Sequence, residues 1–198
     1  MAKKRLKIEH EERRRKKIPL SLKRELLMEA GYHCGNPRCP VLLAIHLLED
    51  HHIKWVSEGG KDTLENLIAL CPLCHSLHHA GDITRAAIRH WKGMLLALNA
   101  AYDRQGLELL RFLHATRGNP TPLWFTADGV LRFASLMADG LVIFGEQVSA
   151  TPFQVPESKH QIKLSQRGET LIDAWMAENE DKYRAFIEAS RLNFVAPP

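Results

Sequence analysis

The chain has 198 residues, 45% hydrophobic and 25% charged, which suits one domain or two small ones and excludes wholesale disorder. Its longest apolar stretches, Val41–Leu48 and Met94–Leu98, are too short to cross a bilayer, so no membrane partner is expected. The net charge of +4 hides an asymmetry: residues 1–18 carry nine Lys and Arg against three Glu, a surplus of six that leaves the other 180 residues at −2. That arm reads either as a phosphate-contacting segment or as a solvated tail. It lacks the apolar run of a secretory signal, so a cytoplasmic protein is expected.

In chain order, residues 1–18 form the basic arm. Residues 19–30 (PLSLKRELLMEA) place Leu22, Leu26 and Leu27 at helical spacing, with Ser21 expected to cap the helix and Gly31 to end it. Residues 32–80 are rich in cysteine and histidine. Asp82 or Thr84 then opens a long amphipathic helix to about Arg104, whose stripe of Ile88, Trp91, Leu95, Leu98 and Tyr102 reads as core packing. Beyond it the pattern predicts a helix over Leu107–Ala115, a loop at 118–122 (GNPTP) and a helix over Asp128–Met137. Strands follow at Leu141–Phe144 and Gln161–Leu164, then a helix over Glu169–Asn179 carrying Leu171, Ile172, Trp175 and Met176. Helices, a hairpin and a closing helix resemble a winged-helix domain. The expected division is therefore an arm (1–18), a central unit (19–105) and a C-terminal α/β unit (106–198).

The four cysteines, Cys34, Cys39, Cys71 and Cys74, all fall within one 41-residue window as a C-x4-C and a C-x2-C pair. Without a secretory signal disulfides are disfavoured, and two tight pairs suit four thiolates around one structural Zn²⁺. Gly35, Asn36 and Pro37 in the first pair and Pro72 in the second are turn formers.

Six of the eleven histidines lie between positions 46 and 79: His46, His51, His52, His75, His78 and His79. His75 and His79 are spaced i, i+4, so a helix presents both to one metal ion. His51 and His52 are adjacent, and in a strand they face opposite sides. The ordered set of paired histidines, Gly59-Gly60, Asn66, His75 and His79 resembles the HNH family of metal-dependent nucleases over about Tyr32–Ala80. The resemblance implies an α+β fold: a ββα-metal, treble-clef-like core with flanking helices, followed here by the small, mostly helical, winged-helix-like unit.

It also implies roles. The Gly-Gly register assigns His51, His75 and His79 to a catalytic divalent cation (Mg²⁺, Mn²⁺, Ni²⁺ or Zn²⁺) and His52 to the general base, with Asn66 bonding loop backbone to hold the base in place. Two alternatives stay open at this point: Asp50 and His51 as ligand and base, and His78 as a competing ligand. His33 and His46 are expected to be structural or surface residues. DNA is the implied substrate, with Lys54, Lys61 and Arg85 flanking the site as phosphate contacts and RNA not excluded. An HNH unit joined to a second module resembles components of restriction or phage-defence systems. In that setting the C-terminal unit is expected to bind a regulatory protein, to self-associate or to restrain the nuclease. The rival reading is a zinc-stabilised DNA-binding module without catalysis.

Overall fold

A computed structural model describes residues 17–118, 124–150 and 157–177. The basic arm up to position 16, most of the 118–122 loop and the last residues of the helix expected to reach Asn179 lie outside the described residues. What is described is a mixed arrangement of helices and two small sheets, as expected.

Helix α1 (Leu20–Glu29) buries Leu26 and Leu27. Ser21 does not cap it: Pro19 occupies the N-cap position in an extended conformation, which puts Ser21 inside the first turn without a capping bond. Gly31 ends the helix with φ +67°, as expected. Strands β1 (Glu49–His52) and β2 (Leu67–Leu70) pair antiparallel, His51 opposite Ile68 and His52 opposite Leu67. Every residue of β2 is buried, with α1 and helix α2 (Pro72–Ala80) both packed against the strand. The hairpin and α2 form a ββα unit, and the backbone N–H of Gly35 donates to the Ala69 carbonyl, tying the first cysteine turn to β2.

Helix α3 (Arg85–Ala101) starts at Thr84, whose side chain accepts the Ala87 N–H at 3.1 Å. It ends three residues before Arg104 because Asp103 caps the next helix, α4 (Arg104–Ala115), by accepting the Gly106 N–H at 2.8 Å. Lys92 of α3 is fully buried. Its ammonium pairs with Glu29 of α1 and donates to the Leu64 carbonyl at 2.7 Å. Burial pushes the lysine down and the glutamate up from their ordinary values, opposed in each case by the partner's charge. Removing either partner would strand a bare charge in the core, so the pair fixes α1, α3 and the turn Leu64–Asn66 together.

The C-terminal elements run β3 (Trp124–Thr126), α5 (Ala127–Leu131), α6 (Ala134–Ala138), β4 (Val142–Ala150), β5 (Glu157–Leu164) and α7 (Gln166–Met176). The strands form an antiparallel sheet in the order β3-β5-β4, with an irregularity between Phe144 and Gln147. The single helix expected over Asp128–Met137 is two short ones. They break where Phe133 leaves helical geometry, turns inward and meets Phe125 edge-on, centroids 5.5 Å apart. Helix α7 docks on α3, where the His90 Nε2–H donates to the Ala174 carbonyl at 2.8 Å and the Trp91 Nε1–H to the Ala177 carbonyl at 3.1 Å. One buried cluster runs from Ile18 to Trp175, spanning the boundary expected near residue 105.

Candidate metal centres and catalytic cleft

Two groups of side chains have the spacing of metal sites. In the first, sulfurs of Cys34, Cys39, Cys71 and Cys74 lie within 4.8 Å of one another. Cys71 is the N-cap of α2, with Pro72 at the first helical position, and its sulfur accepts the Cys74 N–H at 3.4 Å. The Cys34 sulfur accepts the Cys71 N–H at 3.4 Å, and Asn36 Nδ2 donates to the Cys74 sulfur at 3.4 Å. Burial pushes the Cys34 thiol far up and the Cys74 thiol to about 11. Cys71 shifts the other way, because hydrogen bonds from Cys74 and the neighbouring thiols outweigh its burial. Four sulfurs this close make a compact donor set for a single cation, and a soft tetrahedral one fits it.

The second group is imidazole. Strand β1 turns His51 toward α2, where His75 and His79 stand one turn apart, and one ring nitrogen of each lies within 4.8 Å of the other two. The His51 ring is 6% exposed, and among the described residues its Nε2 has no hydrogen-bond partner. A buried, unpartnered nitrogen is costly and suits a metal ligand. Burial, then the neighbouring His78, His75 and His79 rings, push His51 down to about 3. Burial, then His79, lowers His75 as well. Both shifts favour the neutral imidazole that ligates metals.

His78 does not join this group. Its Nδ1–H donates to the Ile83 carbonyl at 2.8 Å, so the ring, 4.5 Å from His51, braces the turn after α2. Asp50 pairs with Lys23 of α1, which weighs against the Asp50–His51 alternative. His33 donates from Nδ1 to the Gly31 carbonyl, and His46 is exposed.

His52 faces away from His51 in the strand, yet both line one cleft of about 320 Å³ with Asp50, Trp55, His75 and His79. His52 Nε2 lies 2.7 Å from Asp62 Oδ1. Asp62 was not foreseen: it meets His52 only because the intervening loop folds back, and its spacing carries no signal. Glu49, 3.8 Å from His75 Nδ1, was likewise missed.

The loop is closed by Asn66, only 3% exposed. Its Oδ1 accepts the Lys54 N–H at 2.8 Å, while Nδ2 donates to the Lys54 carbonyl at 3.1 Å and the Lys61 carbonyl at 2.9 Å. The Gly-Gly pair answers the same closure. Gly59 sits at φ +84°, and a Cβ on Gly60 would lie 1.9 Å from the Lys54 carbonyl oxygen, so only glycine fits. Lys54 and Lys61 are exposed on the loop. Arg85 is engaged elsewhere, with Glu58, the Ile53 carbonyl and the face of Trp55.

Residues 33–81 match the family described as HNH endonuclease, so the expected resemblance holds over that quarter of the chain. Anaredoxin of Nostoc sp. (strain PCC 7120 / SAG 25.82 / UTEX 2576) is 42% identical over 33 residues, 17% of this chain and 43% of that protein. The chain thus spans less than half the length of this curated relative. No solved structure matches the chain. None of the described helices is long and apolar enough to cross a membrane.

Proposed function

We propose that this chain is an endonuclease that hydrolyses DNA phosphodiester bonds with a divalent cation held by His51, His75 and His79. The observation that carries the reading is the convergence of those three ring nitrogens, one buried and unpartnered, beside a fourth imidazole bonded to a carboxylate. A cation bound there supplies Lewis-acid polarisation of a phosphate oxygen and stabilises the leaving oxygen. His52 takes the proton from the attacking water. With Nε2–H donated to Asp62, its Nδ1 lone pair is the free base, and the carboxylate stabilises the imidazolium as it forms. Asn66 holds both ends of the 54–61 loop, which fixes the approach of Asp62 to His52. Glu49 orients His75.

Cys34, Cys39, Cys71 and Cys74 hold a structural Zn²⁺ that sets the start of α2 and hence the positions of His75 and His79. The C-terminal order helix–strand–helix–helix–strand–strand, with the first strand pairing the third, supports the winged-helix reading and a role in placing DNA. The basic arm, Lys54 and Lys61 supply phosphate contacts.

The test is cleavage of supercoiled plasmid by the full chain across a series of divalent ions. Nicking that requires added metal and stops with chelator is expected. A gel shift without nicking under every metal would instead support a zinc-stabilised DNA-binding module.

A further inference from the structure

Trp55 lies in the catalytic cleft, is 45% exposed, and is followed by Val56, which is 46% exposed. A phosphodiester backbone offers little apolar surface, so an exposed indole among histidines is unexplained by contacts to phosphate. The ring is also held in place. The Arg85 guanidinium stacks 4.6 Å from its centroid and is itself fixed by Glu58 and by the Ile53 carbonyl. The Trp55 carbonyl accepts the N–H groups of Glu58 and Gly60, each at 2.9 Å, so the backbone under the ring is set by the turn Val56–Glu58. The exposed Lys54 and Lys61 sit on the same loop. A rigid aromatic surface between cationic side chains is the composition that binds single strands: bases stack on the ring while charges follow the backbone.

Resting on the nuclease reading, we propose that Trp55 stacks an unpaired base next to the scissile phosphate, and that the substrate class is single-stranded or locally unpaired DNA. In paired B-form DNA the base faces are covered by their neighbours and only edges reach the grooves. The indole therefore finds a partner only where a base is already unstacked.

The experiment measures equilibrium binding of dye-labelled oligothymidylate, and of its duplex with oligoadenylate, to the full chain and to Trp55→Ala and Trp55→Phe. Oligothymidylate leaves its bases free to stack. Trp55→Ala is expected to weaken single-strand binding about tenfold, to change duplex binding less than about twofold, and to be largely rescued by Trp55→Phe. The single strand is also expected to quench more tryptophan emission in the full chain than in Trp55→Phe, since Trp91 and Trp175 are buried and the half-buried Trp124 does not line the cleft. Circular dichroism checks that each variant is folded. Equal weakening of both ligands, or none for the single strand, overturns the proposal. Because binding is read without cleavage, a chain that grips oligothymidylate through Trp55 but cuts nothing contradicts only the nuclease reading. A chain that cuts duplex and single strand alike, unchanged by Trp55→Ala, contradicts only this one.

Discussion

His52→Ala is expected to lower the plasmid-cleavage rate by about 10³-fold, within the usual range for losing a general base, while the melting temperature stays within a few degrees. The two readouts separate because of where the ring sits. His52 is partly solvent-accessible, and Asp62 is its side-chain partner, itself 41% exposed. An exposed pair of this kind contributes well under about 1 kcal/mol to folding. In catalysis it would both accept a proton and hold the resulting charge. Asp62→Asn keeps a hydrogen-bond partner but removes the negative charge, so a smaller loss of about tenfold is expected. Full cleavage by folded His52→Ala would remove the base assignment, and full cleavage by Asp62→Asn would remove the dyad.

Cys71→Ser is expected to abolish both cleavage and the fold of the ββα unit, read as lost zinc content, lost helical circular dichroism and no nicking. Serine is itself a favoured N-cap, so the substitution keeps a capping group at the start of α2 and removes only the thiolate. Structural zinc contributes on the order of 10–16 kcal/mol in small zinc modules near neutral pH, comparable with the whole stability of a domain. The unit has little in reserve: β1 and β2 have four residues each and α2 nine. Losing the ion frees the first turn of α2, and with it His75 one residue beyond Cys74. A Cys71→Ser protein that stays folded and keeps its metal would show that the sulfurs are not a metal site.

What was legible in the sequence was local. The i, i+4 spacing of His75 and His79 and the adjacency of His51 and His52 state their relative directions as soon as a helix and a strand are assumed. Asn66 and Gly59-Gly60 were legible only as a register, and the physical reason, a loop pinned on the Lys54 carbonyl, required the fold. Choices between near neighbours rested on register and spacing alone, without their physical reason. His78 and His79 differ by one position, and what separates them is the Ile83 carbonyl waiting for His78. Asp50 lies one residue from His51, yet its partner is Lys23 on α1, far off in sequence. Asp62 could not be found without knowing that its loop doubles back onto β1. In the C-terminal part the start of β4 was legible at Leu141–Phe144, but its continuation to Ala150 is mostly exposed and β3 is three residues long, so hydrophobic patterning carried little signal for either of those.

The central claim is that three imidazoles share one cation while a fourth beside them stays unligated. It is tested most directly by calorimetric titration of Ni²⁺, a strong imidazole partner, into the zinc-loaded full chain. The full chain and His52→Ala are each predicted to take up one equivalent with zinc retained, whereas a His75→Ala, His79→Ala double variant takes up none. Uptake by the double variant equal to that of the full chain, or no uptake by the full chain at all, would contradict the account.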